Sequence, residues 1–271
     1  MNLKAYAKVN LILRVVGENE NHYHLLQMLN AKMTLYDEII IQKNDVQEDT
    51  LRFQGAPLTP EKDNLILRVL AFFKTKYHIQ DTFDILVIKQ IPIGAGVGGG
   101  SADVAAILKH LGDRYQINVK DPILLDELSI YGADIPYALF DGPAIVEGIG
   151  EKITPIDFQF DLPFIYIYPN IIASTCEIFQ HQKKISFALS HEELIMMGKN
   201  GQWQNDLEDA TVQVYPQLRT IIEDIRKIAD VQMTGSGSSL LVFGKHIDEI
   251  AQYLKKQYPE FLIQIVTMIK E

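Results

Sequence analysis

The 271-residue chain contains a single cysteine, Cys176. It therefore cannot form an internal disulfide or a metal site built from several cysteines. Long hydrophobic runs are also missing: the apolar stretch Phe164–Tyr168 has five residues and ends at Pro169, whereas a membrane-spanning helix needs about 20. The N-terminus lacks the apolar core of a signal peptide, so we expect a cytoplasmic location and no membrane partner.

Positive charge is scarce as well. The chain has 25 Lys and Arg against 35 Asp and Glu, which gives a net charge of −10. Such a chain repels nucleic acid and anionic membranes at long range, so we expect neither as a partner. The hydrophobic fraction of 47% and the charged fraction of 22% are ordinary for a globular protein, which excludes disordered and collagen-like structure.

Hydrophobic periodicity predicts both strands and helices. Alternation favours a strand at Val9–Val16, and apolar spacing favours a helix that Asp63 or Asn64 can cap and that runs to about Tyr77. A second helix is expected from Ser101, with Gly112 as its C-cap. Because strands and helices follow one another without strict alternation, the pattern predicts an α+β fold.

A change of composition predicts a domain boundary near residues 155–162. Two prolines and two aspartates cluster there: Pro155, Asp157, Asp161 and Pro163. Residues 1–158 and 159–271 are therefore expected to form two domains. Each would have a length that is typical of globular domains.

The most informative segment is glycine-rich and is followed at once by a predicted helix. Five glycines occur in the seven residues 94–100. Without Cβ atoms, backbone N–H groups can converge on a ligand, and a helix N-terminus behind them favours an anion. The segment therefore predicts a phosphate site, although a flexible surface connection is the alternative.

Two common phosphate motifs fit this segment poorly. Gly100 stands where a Walker A motif requires lysine. Gly94, Gly96 and Gly99 match the spacing of a dinucleotide fingerprint, but Pro92 intervenes before the first glycine and more than eighty residues precede it.

The segment instead resembles the P-x-x-x-G-[LV]-G-[GS]-[GS]-[AS] loop of the GHMP kinases. Further stretches resemble motifs of the members that phosphorylate 4-diphosphocytidyl-2-C-methyl-D-erythritol, and together they span residues 5–243. These stretches are AYAKVNL (5–11), NHYHLL (21–26), YGADIP (131–136), AIVEGIGE (144–151), NDLE (205–208) and MTGSGSS (233–239).

The resemblance implies a two-lobed α+β fold. The N-terminal lobe would be like the second domain of ribosomal protein S5, binding ATP and carrying catalysis, and the C-terminal lobe would be ferredoxin-like. It implies phosphorylation of the 2-hydroxyl of that cytidyl alcohol with ATP and Mg²⁺, in the methylerythritol phosphate route to isoprenoids. Another GHMP kinase of the homoserine or mevalonate type, or a non-catalytic relative, are the alternatives. We expect a monomer or a weak homodimer.

The resemblance assigns catalysis to Lys8 and Asp134. The carboxylate would accept or orient the proton of the substrate hydroxyl, and the lysine would keep it ionised. Without the resemblance, other interpretations are open. An aspartate placed between Gly-Ala and Ile-Pro, as Asp134 is, is typical of a turn or a helix cap. Lys8 could equally be an exposed lysine at the edge of a sheet.

The ATP site implied by the resemblance is the glycine-rich segment and its flanks. Ser101 is additionally a possible neighbour of Mg²⁺, and Lys89 could equally be a solvated lysine. The expected residues are Lys89, Pro92, Gly94, Ala95, Gly96, Val97, Gly98, Gly99, Gly100 and Ser101.

The implied substrate site contains aromatic residues that could sandwich a pyrimidine ring. Core packing is the alternative for Tyr23 and Phe179, and two departures from the family pattern, His22 and Cys176, lie nearby. The expected residues are Asn10, Tyr23, His24, Thr175, Phe179, Gly235, Ser236 and Gly237.

Overall fold

The computed structural model describes residues 1–55 and 63–269. Its helices are α1 (Leu65–Lys76), α2 (Gly99–Tyr115), α3 (Pro122–Ser129), α4 (Ile135–Ala138), α5 (Thr175–His181), α6 (His191–Lys199), α7 (Glu208–Val214), α8 (Pro216–Arg226) and α9 (Ile247–Gln257). Its strands are β1 (Asn2–Glu18), β2 (His24–Asn44), β3 (Thr50–Gln54), β4 (Thr82–Ile88), β5 (Ala144–Gly148), β6 (Lys152–Pro155), β7 (Phe164–Tyr168), β8 (Gln204–Asn205), β9 (Asp230–Met233), β10 (Leu240–Phe243) and β11 (Leu262–Val266).

The chain divides into two compact units that interleave along the sequence. Unit 1 consists of Met1–Ala7, Leu35–Ile91 and Gly98–Asp141. Unit 2 consists of Lys8–Thr34, Pro92–Val97 and Gly142–Glu271. Strands β1 and β2 each run through both units, and the division into residues 1–158 and 159–271 stays a prediction.

Unit 1 is built on a mixed sheet. Strand β4 pairs antiparallel with β2 on one side and parallel with β3 on the other. The core joins apolar strand residues such as Ile85 and Val87 to Phe73 of α1 and Leu111 of α2, all of them fully buried. This burial of one helix stripe against a sheet face is what stabilises amphipathic helices of this length.

Helix α1 confirms the sequence prediction closely. Its N-cap is Asn64, whose side chain accepts a hydrogen bond from the Ile66 N–H at 2.9 Å. Such a cap supplies one of the partners that the first turn of a helix lacks. The helix ends at Lys76, one residue before the predicted end.

Helix α2 begins earlier and ends later than predicted. It starts at Gly99, after a left-handed Gly98, and passes through Gly112 to Tyr115. The predicted C-cap at Gly112 is therefore wrong. A Cβ there would lie 2.6 Å from Val119, so this glycine permits close packing, and Gln116 takes the left-handed C-cap position instead.

Unit 2 contains a hairpin-like group of strands and a second sheet. Strand β5 pairs with both β2 and β6. The second sheet has the order β11-β7-β10-β9, entirely antiparallel. With α9 before β11 and helices between β7 and β9, it follows the βαββαβ pattern of the ferredoxin-like fold. The expected α+β class is confirmed.

Among the described residues, no helix combines the length and apolarity needed to cross a bilayer.

Candidate active site

The glycine-rich segment leaves regular structure after β4 and returns to it in α2. Gly94, Gly96 and Gly98 have φ of 68°, 73° and 69°, in the left-handed region that favours glycine. Pro92–Val97 belongs to unit 2, where Ala95 and Val97 are buried. The alternation of left-handed glycines with buried apolar residues gives this segment a defined path, which disfavours the flexible connection.

In unit 2 the glycine-rich segment contacts the second glycine segment, residues 235–237. A Cβ on Gly96 would lie 2.5 Å from the carbonyl oxygen of Gly237, and one on Gly235 would lie 2.2 Å from that of Gly96. Both positions also have positive φ. Only glycine therefore allows the two backbones to approach this closely.

Asn205 holds the second glycine segment in place, and sequence reasoning missed this residue. Its Nδ2 donates hydrogen bonds to the carbonyl oxygens of Met233, at 3.0 Å, and Gly235, at 2.8 Å. Its Oδ1 accepts from the N–H of Leu207 at 3.0 Å. The NDLE stretch that contains Asn205 was a signal for it.

Side chains also support this segment. The hydroxyls of Thr175 and Ser236 lie 2.8 Å apart, so the structure brings these two predicted substrate residues together. The Thr211 hydroxyl lies 3.3 Å from the Ser236 carbonyl oxygen. Gly237 donates its N–H to the Thr234 carbonyl oxygen at 3.0 Å, which closes a tight turn.

Lys8 and Asn10 lie together on β1. The Lys8 Nζ donates to the Asn10 Oδ1 at 2.5 Å, and the Asn10 Nδ2 donates to the Asn30 Oδ1 at 2.6 Å. Asn10 also accepts and donates at its backbone with the Thr234 hydroxyl, at 3.4 and 2.8 Å. Because Lys8 is only 8% exposed, it is not a solvated edge lysine.

The aromatic part of the predicted substrate site is formed by His24 and Phe179. Their rings stack at 5.3 Å with 26° between the planes, and the His24 Nε2 lies 3.0 Å from the Phe179 carbonyl oxygen. The His24 Nδ1 is buried and has no hydrogen-bond partner among the described residues. The neighbouring Tyr23 is 62% exposed, which excludes core packing for it. Asn10, which was also predicted for the substrate site, forms hydrogen bonds with Lys8 and Asn30.

Lys89 lies between two carboxylates of unit 1. Its Nζ is 2.5 Å from the Asp37 Oδ2 and 2.8 Å from the Asp103 Oδ2, and all three side chains are at most 6% exposed. Burial lowers the pKa of Lys89, but attraction by Asp103 and Asp37 outweighs it and leaves that pKa raised. Burial raises the pKa of Asp103 to about 7 against the opposing effect of Lys89. No sequence motif singled out Asp37.

The first turn of α2 carries the remaining predicted ATP residues, Gly99, Gly100 and Ser101. Ser101 is 9% exposed, and its hydroxyl lies 3.5 Å from the position of a Cβ on Gly132. No side chain of the described residues caps this helix end. Its N–H groups are therefore available to an anion, as at other helix N-termini.

Asp134 immediately precedes α4 in unit 1. It occupies the N-cap position, but its side chain makes no capping hydrogen bond. Tyr137, one turn later, is fully buried, and burial together with the Asp134 charge raises its pKa. The side chain therefore does not cap α4, although the backbone of Asp134 lies in the turn that the alternative interpretation expects. The described residues contain no group of three or more His, Cys, Asp or Glu placed to bind a metal ion.

Comparisons with known proteins define the class. A family model described as GHMP kinases N terminal domain matches residues 64–147, and one described as GHMP kinases C terminal matches residues 188–260. The chain belongs to the GHMP kinases, a family of small-molecule kinases.

Individual relatives show which members of the family this chain is similar to. The chain is 35% identical over 254 residues to 4-diphosphocytidyl-2-C-methyl-D-erythritol kinase of Clostridium botulinum (strain Eklund 17B / Type B), covering 90% of each protein. It is 32% identical over 279 residues to the kinase of the same name of Clostridium beijerinckii, covering 97% of this chain and 99% of that protein.

Solved structures agree with this likeness. A crystal structure of 4-(cytidine 5'-diphospho)-2C-methyl-D-erythritol kinase aligns with a TM-score of 0.80 at 27% identity, covering 98% of this chain and 99% of that one. Homoserine kinase from Cytophaga hutchinsonii aligns with a TM-score of 0.72 at 16% identity, covering 99% of this chain and 94% of that one. At that identity the second likeness concerns the fold alone.

Proposed function

We propose that this chain transfers the γ-phosphoryl group of ATP to the 2-hydroxyl of 4-diphosphocytidyl-2-C-methyl-D-erythritol, in isoprenoid biosynthesis. The observation that carries this choice is the stacked His24–Phe179 pair, in which the buried His24 Nδ1 has no partner in the part of the chain that the structure describes; such a pair suits a pyrimidine base. The relatives named above act on that alcohol. We also propose residues 1–158 as the ATP-binding domain and 159–271 as the second domain, in a cytoplasmic monomer or weak homodimer.

The cytosine specificity follows from the tautomer of His24. Since the Phe179 carbonyl oxygen can only accept, the Nε2 facing it carries the proton in neutral His24. The Nδ1 is then an acceptor, and the exocyclic amino group of cytosine is a matching donor once binding of the base uncovers this atom. Uracil has a carbonyl oxygen at that position, which would leave two acceptors facing each other. The exposed ring of Tyr23 would cover the other face of the base.

The substrate diphosphate would bind the segment Gly235–Gly237 and the Thr175–Ser236 hydroxyl pair. Backbone N–H groups of left-handed glycines form concave anion sites, and they need no formal charge. The rigid support of this segment by Asn205 suits such a role.

The phosphates of ATP would bind the segment from Pro92 to Ser101. The 17-residue helix α2 begins at Gly99, and its N-terminal N–H groups favour negative charge. An anion can bind at this local positive potential although the chain has a negative net charge, because charges more than about 8–10 Å away are largely screened.

In the reaction we propose, Asp134 takes the proton of the substrate hydroxyl as its oxygen forms a bond to the γ-phosphorus. The bond from that phosphorus to the β–γ bridging oxygen breaks, and ADP leaves with the electron pair. Lys8, oriented by Asn10, would offset the negative charge that develops on the transferred group.

Mg²⁺ is expected to enter with ATP. It prefers oxygen ligands and commonly keeps bonds to substrate phosphates rather than to a protein cage. The Ser101 hydroxyl, buried in the first turn of α2, is the oxygen of this chain that we propose beside it. When bound, the ion offsets charge on the phosphates.

The proposal is tested by ADP release from the purified protein with the cytidyl alcohol, its uridyl analogue, mevalonate and homoserine. We expect turnover with the cytidyl alcohol and at least about tenfold lower kcat/KM with the uridyl analogue. Turnover only with mevalonate or homoserine would indicate another GHMP activity. Asp134→Asn should lower kcat by about 10²–10⁴-fold with an unchanged fold, and Tyr23→Ala should raise the KM of the cytidyl substrate. Wild-type kcat in Asp134→Asn would contradict the catalytic role.

A further inference from the structure

Three charged side chains of unit 1 form one buried group beside the glycine-rich segment. Asp37 comes from β2, Lys89 follows β4, and Asp103 lies in α2. Their side chains are 0%, 6% and 2% exposed. Charges this deeply buried are costly, and replacing such groups with apolar residues is often neutral or stabilising. Their presence therefore calls for a reason other than stability alone.

The first contact set fixes the chain just before the segment. The Asp37 Oδ1 accepts hydrogen bonds from the N–H groups of Gln90, at 2.5 Å, and Ile91, at 2.8 Å. The Lys89 N–H donates to the Gln54 carbonyl oxygen at 2.8 Å. Three consecutive backbone N–H groups are thus held up to the point where Pro92 begins the segment.

The second contact set ties this end to the helix after the segment. The Lys89 Nζ donates to the Asp103 Oδ2 at 2.8 Å, and Asp103 is in the second turn of α2. The seven residues from Pro92 to Gly98 lie between the two tied ends. Fixing the ends of a short loop removes conformations that binding would otherwise have to remove.

The charges of the group also matter for an anion. Two carboxylates near the first turns of α2 would oppose phosphate binding there, and the Lys89 ammonium offsets one of them. The Asp103 Oδ1 is buried without a hydrogen-bond partner among the described residues. Leaving such an atom unpaired costs stability, which again favours a functional reason for the group.

We infer that Asp37, Lys89 and Asp103 are positioning residues that hold both ends of the glycine-rich segment in its nucleotide-binding conformation. The inference rests on the proposed ATP-dependent function. Lys89 then acts on ATP through the segment, since its ammonium is engaged by the two carboxylates, and Asp37 joins the functional residues although it lies outside every motif.

The test uses Asp37→Asn, which keeps the size of the side chain and an oxygen for the Gln90 and Ile91 N–H groups. It places an amide NH₂ against the Lys89 ammonium and so removes the attraction. The control is Asp81→Asn, which breaks the Lys43–Asp81 pair of unit 1, with a distance of 2.8 Å and a half-exposed lysine. Both variants lose one carboxylate of an ion pair.

We expect the KM for ATP to rise about tenfold in Asp37→Asn, while the KM for the cytidyl substrate changes by less than about twofold. Asp81→Asn should leave both KM values within about twofold of wild type. A lower Tm with an unchanged KM for ATP, or an equal rise of both KM values, would overturn the inference.

Calorimetric titration with a non-hydrolysable ATP analogue separates this inference from the proposed substrate. Its Kd should rise about tenfold in Asp37→Asn even if the wild-type protein fails to turn over the cytidyl alcohol. If Asp37→Asn does not fold, Asp103→Asn replaces it, and the titration is run above the Asp103 pKa of about 7, where the wild-type side chain is ionised. That variant keeps an oxygen for Lys89 but loses the charge that attracts the ammonium. A Kd equal to that of wild type in Asp103→Asn would then refute the positioning role.

Discussion

Gly96 and Gly201 offer a matched pair of substitutions that isolates the contact between the two glycine segments. Both have a left-handed backbone, with φ of 73° and 68°. A Cβ on Gly96 would lie 2.5 Å from the Gly237 carbonyl oxygen, whereas one on Gly201 would have, apart from its chain neighbours, no atom of the described residues within 4 Å. Gly96→Ala and Gly201→Ala therefore share the backbone strain and differ in the contact.

The shared strain is modest. A left-handed alanine costs about 1–2 kcal/mol, and the loss of freedom in the unfolded chain returns about 0.4–1 kcal/mol. Gly201→Ala should therefore lower the free energy of unfolding by about 1 kcal/mol and the Tm by about 2–4 °C. Its kcat/KM should equal that of wild type, because the added Cβ would reach neither glycine segment.

The contact at Gly96 adds a displacement. Ordinary van der Waals contact begins near 3.4 Å, so the two backbones must separate by about 0.9 Å. A misplacement of about 1 Å can cost about 10²-fold in rate. Steady-state assays with ATP and the cytidyl alcohol should show a loss of kcat/KM of that order in Gly96→Ala. Equal kcat/KM in the two alanine variants would refute the reasoning.

Three further predictions concern other positions. Replacing His22, at φ 62°, with glycine should raise the free energy of unfolding, measured in urea, by at most about 1 kcal/mol. The relief of left-handed strain is offset in part by the greater freedom of glycine in the unfolded chain and by loss of the His22–Glu18 contact. Asn205→Asp should lower the free energy of unfolding by about 1–3 kcal/mol and raise the KM of the cytidyl substrate, since a carboxylate would face the carbonyl oxygens of Met233 and Gly235. The contribution of Asp103 to stability, with a pKa raised to about 7 from 3.8, falls as the pH rises between those values. Urea unfolding of Asp103→Asn should therefore vary less with pH in that window; an unchanged pH profile contradicts this.

Features that depend on neighbouring residues were predictable. The Asn64 cap and the apolar stripe of α1 are set within one helix, and the structure confirms both. The glycine-rich segment was also recognisable, because repeated glycine before a helix has few structural uses. Gly112 shows the limit of local reasoning: the same residue type serves a C-cap or a close packing contact, and Val119 decided the matter from outside the helix.

Features that join distant residues were not predictable from periodicity. Lys89 and Asp37 are 52 positions apart, and no spacing rule relates a lysine after one strand to an aspartate within another. Likewise, Asn10 meets Thr234 across 224 positions. Whether the Lys89 ammonium is available to a ligand depends on such a distant partner, since burial and an opposite charge together determine its environment.

The amino-acid sequence by itself determined the α+β class, the family, and the segments from which the candidate site is drawn, because these follow from composition, periodicity and contiguous motifs. Only the tertiary structure decided which atoms of those residues remain available. It bonded the Lys89 ammonium to two carboxylates, gave the Nδ1 of His24 no partner within residues 1–55 and 63–269, and brought Gly96 against Gly237. The physical reason is that a hydrogen bond or a steric contact depends on distances of a few ångströms between residues far apart along the chain, which local preferences do not encode.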